Sequence, residues 1–179
     1  GKKRRPRLQP REFCKWLVKY CLAFVHTPSS LHTRTKKVVV PEDIKGLKIR
    51  PADATIANFV TQLGGTNVQS SAPEVRDIIE RGVADGVFFP AGSLVLFGVD
   101  KVTKYHIEAP MYVTTFVFVM NKDKYNEMSD RQKKAIDDNC TTEMAGKVGA
   151  HWGQFEDAGV DKIKAEPGQE GYKRTPEQT

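Results

Sequence analysis

Between residues 47 and 89 the chain alternates strand and helix signals about every 20 residues, and this alternation restricts the fold more than any other feature. The segment 37–50, KVVVPEDIKGLKIR, reads as an extended stretch, a turn opened by Pro41 with Glu42 and Asp43 in it, and then a strand over 47–50. Proline at a first helical position and acids in a first turn both suit the helix dipole. Gly46 supplies the backbone freedom to swing into the strand. After Arg50, the residues Ile56, Phe59, Val60 and Leu63 fall at i, i+3, i+4 and i+7, the stripe of an amphipathic helix. Asp53 or Thr55 can cap its start, and Gly64-Gly65 ends it. TNVQSS reads as a second strand. Ser71 and Glu74 form a capping box around Pro73, opening a helix over 74–81 whose buried stripe is Val75, Ile78 and Ile79. A third strand spans 85–89 and stops at Pro90. Such an order predicts right-handed βαβ units on a parallel sheet, an α/β fold.

The remainder predicts a different texture. Residues 112–120, YVTTFVFVM, are β-branched and aromatic with no charge, the signature of a central strand buried on both faces. Ser129 and Gln132 make another capping box. Ile136, Cys140, Met144, Val148, Trp152 and Phe155 then recur on one helical face, with Gly159 expected to break the helix. The tail over 166–179 is polar and rich in glycine and proline, as in a surface loop.

Charge must be divided by position before it says anything about partners. The net charge is +6, but residues 1–20 hold eight basic side chains against the single acid Glu12. The other 159 residues carry 20 basic and 21 acidic side chains, so the globular part is close to neutral. A basic leader of this kind reads as a solvated tail, and no basic stripe interleaved with aromatics follows it, so nucleic acid is not the expected partner. Lys15 and Lys19 interrupt the apolar stretch 13–25 and no small-x-small cleavage site follows, so the leader does not read as a signal peptide. No apolar run approaches the ~20 residues of a membrane helix. Three cysteines, Cys14, Cys21 and Cys140, show no ligand spacing, and the odd number predicts free thiols rather than a disulfide.

Catalytic signals are few. There is no GxSxG around Ser93, no HExxH, no phosphate loop at Gly64-Gly65, and no carboxylate pair at acid/base spacing. His26, His32, His106 and His151 stand apart and read as structural, and no cofactor or metal is expected. Arg50 is the exception, because it ends a strand at the edge where open α/β sheets place ligands. Its guanidinium can grip a carboxylate with two parallel N–H···O bonds, or form a salt bridge to an acid such as Asp53; spacing leaves both open. Phe88 and Phe89 end the third strand and point to opposite faces, so one enters the core and the other either packs as well, the commoner outcome, or lines a pocket.

At these residues the sequence resembles a known family. PEDIKGLKIR, LGGTNVQSSAPEV, RGVADGVFFP and FVMNKDKY, in that order and spacing from about Tyr20 to Ala165, resemble the solute receptors of tripartite ATP-independent periplasmic (TRAP) transporters. The resemblance implies an α/β, periplasmic-binding-protein type II-like fold of two lobes closing on a small organic acid, which is delivered to membrane permease subunits. It implies a periplasmic, non-enzymatic protein, of which this chain lacks an N-terminal part and a C-terminal end. On that frame residues 1–19 are a leader outside the family and 20–36 a partial lobe I strand and crossover. Residues 37–110 are the βαβ units of lobe II, 111–128 the returning strand, 129–165 the helical segment and 166–179 the tail. The family's carboxylate-pairing arginine falls on Arg50, with Asp53 and Ala72 bordering the ligand. Pro51 follows Arg50 directly, where the family usually has a small apolar residue first. Sialic-acid-binding relatives have polar residues where this chain has Phe88 and Phe89, which implies a ligand with an apolar or aromatic body. Two other classes remain as alternatives: an α/β enzyme using His106 or His151, and a nucleic-acid binder acting through residues 1–20.

Overall fold

A computed structural model of the chain describes residues 18–173 and 175; most of the basic leader lies outside them. The chain divides into two compact units, one of residues up to Val25 with Thr115–Ala150, the other of His26–Thr114 with the residues from His151 onward.

The second unit holds the expected alternation. Its elements are β2 (Ser30–Thr33), β3 (Lys48–Arg50), α1 (Ala54–Gln62), β4 (Thr66–Asn67), α2 (Val75–Glu80), β5 (Gly86–Phe89), α3 (Ala91–Leu96), β6 (Tyr105–Ile107) and β8 (Glu170–Tyr172). They form a six-stranded sheet in the order β4-β3-β5-β2-β6-β8. The β4-β3-β5 part is parallel, as the βαβ pattern predicts. The sheet as a whole is mixed, because β2 runs antiparallel to both β5 and β6. The antiparallel part enters through β2, a short, polar SLHT segment that carries no periodic signal yet occupies the centre of the sheet.

Local chemistry explains the elements. Asp53 accepts a hydrogen bond from the Ile56 amide at 2.9 Å and so caps α1, while Gly46 turns the chain into β3 with φ of +80°. Side chains alternate across β5. Phe88 joins Leu31, Ile49, Ile56 and Val60 on one face, and Val87 and Phe89 join Val75, Ile79 and Leu94 on the other. Each fully buried aliphatic or aromatic side chain of this kind contributes about 1.5–3 kcal/mol.

The first unit is smaller. β1 (Val18–Val25) pairs antiparallel with β7 (Thr115–Asn121) in a two-stranded ribbon, with an irregularity between Tyr20 and Leu22 that leaves Cys21 outside the ladder. Asn121 caps α4 (Lys122–Glu127), and the Ser129–Gln132 box caps α5 (Asp130–Asn139). Three expectations fail here. β7 is not a doubly buried central strand: Val117 is 56% and Phe118 55% exposed, since β1 is its only strand partner among the described residues. The long helix breaks at Cys140, and α6 (Thr142–Ala165) starts afresh with the Thr141 hydroxyl accepting from the Met144 amide. Cys21 and Cys140 are not free thiols but form a disulfide, with Cα atoms 4.5 Å apart. Sequence spacing could not show that pairing, because it bridges 119 positions.

Gly159 does not break α6 either. A Cβ there would lie 2.3 Å from the Gly92 nitrogen, so the glycine serves a backbone-to-backbone approach between α6 and α3. One turn earlier, Glu156 is 2% exposed and reaches the start of α3, accepting from the Gly92 amide at 2.5 Å, Ser93 Oγ at 3.3 Å and Trp152 Nε1 at 2.9 Å. The buried carboxylate is thereby held by three donors. No helix among the described residues is long and apolar enough to cross a membrane.

Candidate functional site

β3 delivers Arg50 to the carboxyl end of the parallel part of the sheet, and Pro51 and the Asp53 cap lock the chain that follows. The guanidinium is half-buried. Its Nε and Nη2 both donate to the Ser70 carbonyl at 3.3 Å, and its central carbon lies 5.5 Å from the centre of the Phe89 ring. That distance is within the range of a cation–π contact. Burial pulls the Arg50 pKa below its ordinary value, opposed by the nearby Tyr112 phenol, and no carboxylate is among its partners in the described residues. The salt bridge to Asp53 that spacing allowed is absent, because the Asp53 carboxylate is turned to the Ile56 amide. A partly desolvated cation without a counter-ion is costly unless an anion completes it.

The surroundings are incomplete in the same sense. Arg50 borders a depression of about 510 Å³ with Asp53, Asn58, Asn67, Gln69 and Ser70. Two buried atoms in this wall, Asn67 Oδ1 and Ser70 Oγ, have no hydrogen-bond partner, and neither has Tyr112 Oη. Burial raises the Tyr112 phenol above its ordinary pKa, with Arg50 pulling it back.

Of the residues anticipated from sequence, Arg50 and Asp53 line one depression, whereas Phe89 is buried in the core with its ring near the Arg50 guanidinium and does not line it. Phe88 is corrected. It is 0% exposed, wedged edge-on between Phe59 and Tyr112 in the core, and offers no surface to a ligand. Ala72 opens a 3-10 turn, Ala72–Glu74, and packs against the Val75 and Ile79 cluster without lining the depression. Sequence reading missed Ser70, Asn67 and Tyr112. Only the polar run TNVQSS hinted at the first two, and Tyr112 was masked by its place in an apolar run.

The histidines do not assemble a catalytic group. Ser29 Oγ lies 3.2 Å from His26 Nδ1, but His26 Nε2 accepts from the Thr114 amide, so Nδ1 carries the proton and donates to the Thr27 carbonyl. No lone pair is left to activate the serine. His151 is exposed on α6, and His106 is buried in β6. Among the described residues no group of three or more His, Cys, Asp or Glu side chains is placed to hold a metal ion.

The mixed sheet thus carries, at the carboxyl edge of its parallel part, an arginine with no carboxylate partner among the described residues. The chain belongs to the bacterial extracellular solute-binding protein family 7, which it matches over residues 20–179. It is similar to a TRAP periplasmic solute-binding protein of Bordetella bronchiseptica with bound (R)- and (S)-mandelate. That match has 28% identity and a TM-score of 0.81, covering 90% of this chain and 51% of that one. It is similar also to a marine metagenome TRAP solute-binding protein specific for aromatic acid ligands, in complex with metahydroxyphenylacetate. Here identity is 29% and the TM-score 0.79, covering 89% and 51% of the two chains. A third, from Rhodoferax ferrireducens with copurified benzoate, has 26% identity and a TM-score of 0.80, covering 88% and 50%. The chain thus spans about half the length of these solved structures.

Proposed function

We propose that the chain is part of an extracytoplasmic receptor of a TRAP-type transporter that captures a small organic acid at Arg50 and delivers it to membrane permease subunits from the periplasm. The single observation that carries this reading is the half-buried Arg50 guanidinium, which has no acidic partner among the described residues and borders a polar depression. The ligand's carboxylate takes the free edge of the guanidinium, where charge-assisted bonds are about twice as strong as neutral ones. An acid with an aromatic or apolar body is the expected ligand, rather than a polyhydroxylated one. The acids named with the three similar structures, mandelate, metahydroxyphenylacetate and benzoate, support that choice. The protein acts by binding and release rather than by catalysis.

The test is a thermal shift of the purified chain with benzoate, mandelate and glucuronate. A ligand bound only by the folded state raises the midpoint by mass action. Benzoate or mandelate should raise it more than glucuronate does. Arg50→Ala should abolish the rise and Arg50→Lys retain a fraction of it. A full shift in Arg50→Ala, or none with any of the acids in wild type, would overturn the reading.

A further inference from the structure

Away from Arg50, His32 and His106 face each other in the register of the β2–β6 ladder, each 4% exposed. Their Nδ1 atoms are 2.8 Å apart. His32 Nε2 lies 3.0 Å from the Phe89 carbonyl oxygen, and His106 Nε2 lies 2.6 Å from Gln169 Oε1. The orientation of Gln169 is not free. Its Nε2 donates to the Asp100 carbonyl at 2.7 Å, and a flipped amide would set two carbonyl oxygens against each other there. Both ends of the chain of contacts are therefore acceptors.

Three contacts then need three N–H groups. Two neutral imidazoles carry two, one imidazole with one imidazolium carries three, and two imidazolium rings carry four. With two, one contact sets lone pair against lone pair. With four, the Nδ1 contact sets N–H against N–H. We infer that His32 and His106 form a one-proton site: a single added proton completes the hydrogen-bond chain from Phe89 to Gln169, and a second is refused. The inference is independent of the carboxylate site.

The charges around the pair are few and mixed. From the turn Val99–Lys101 comes Asp100, buried, with Oδ1 unpartnered and Lys101 at 3.7 Å from Oδ2. A cavity of about 330 Å³ beside the rings is lined by Glu108, Glu156 and Lys164. Glu156 is engaged by its three donors, and Lys164 Nζ is 3.8 Å from Glu108. β5 contributes only the Phe89 backbone to the contact chain. Burial holds His106 below its ordinary value, with Gln169 and Asp100 pulling it back up; burial and the His106 ring push His32 down to about 3. His106 is therefore the ring that charges first.

The sign follows. In the unfolded chain both rings take protons near the ordinary value of about 6.5, whereas the folded pair takes the first later and the second only near 3. Stability contributed by the neutral pair is present above about 6.5 and is lost as pH falls. The unfolding constant should rise by up to about a hundredfold per pH unit where the unfolded chain holds two extra protons, then about tenfold per unit once His106 is charged.

Side-chain nitrogen NMR of the whole chain, with labelled histidine, tests this between pH 8 and 4. One proton should enter the pair, at a midpoint below the ordinary imidazole value, with His32 remaining the neutral Nε2–H form. Gln169→Glu, which replaces the amide oxygen by a charged acceptor, should move that midpoint up, and Gln169→Leu should move it down. Two protons entering near 6.5, none entering above pH 4, or a midpoint unmoved by both variants would each overturn the inference.

Discussion

In the second unit both faces of the sheet are covered, and Val87, Phe88 and Phe89 vanish into two cores within three consecutive residues. In the first unit the ribbon is built from a run that is at least as apolar, TFVFVMN, yet Val117, Phe118 and Val119 remain about half exposed. What separates them is layers, not composition. β5 lies between two hydrogen-bonded neighbours with helices packed over it, whereas β7 has one neighbour among the described residues. A two-stranded ribbon is marginal by itself in water. Here it is held by Leu22 and Phe24 with the Phe116 and Phe118 rings 5.6 and 5.7 Å from Phe24, and by the disulfide to the break between α5 and α6.

The contrast is broken most severely at Phe88. Phe88→Ala removes a fully buried ring that packs edge-on against Phe59 and Tyr112 in the core with Leu31, Ile49 and Val60. It should cost about 3–5 kcal/mol by denaturant unfolding. Next comes Cys140→Ser, at about 2–5 kcal/mol. The two losses should fall in different places: amide exchange would accelerate in β1 and β7 for Cys140→Ser, with β3 and β5 still protected. If Cys140→Ser instead opened β3 and β5 to the same degree, the units would not be separately stabilised and the comparison would fail. Gly159→Ala is smaller, about 1–3 kcal/mol, because α6 must move off α3 to seat one methyl group. Its signature is local, since the Glu156 carboxylate then loses its reach to the Gly92 amide.

How much of this could be read from the sequence follows the same division. The 47–89 stretch was legible because strand, cap and stripe agree at every step: Asp53 caps α1, Ser71 and Glu74 close their box, and Val75 and Ile79 are buried. Arg50 was legible for a related reason, since a strand end has a fixed address in the sheet. Features that depend on a distant partner were not. β2 is central only because β5 and β6 flank it, the Cys21–Cys140 bond is set by where α5 ends, and Gly159 looks like a breaker until Gly92 is placed beside it. For Ser70 and Asn67 the polar run TNVQSS was the one local hint and for Tyr112 there was none, so their buried, unpartnered polar atoms could not be foreseen. The His32–His106 pair is the extreme case, two residues 74 positions apart joined by sheet register alone.

The smallest expected effect is the most exacting for the argument about layers. Val117 sits opposite Ala23 in the ribbon, on the strand whose apolar run predicts burial. If apolarity of sequence decided its role, Val117→Thr would cost what a buried valine costs when a hydroxyl takes its place, about 1–3 kcal/mol. If layers decide it, threonine keeps the β-branched shape and the strand preference, and its hydroxyl meets water at a site already 56% exposed. The expected change is therefore within about 0.5 kcal/mol, as for other surface substitutions. Paired urea titrations of wild type and Val117→Thr decide it. A loss beyond about 1 kcal/mol would mean that this face of β7 is covered after all, and that the ribbon is a core strand of the kind its sequence suggests.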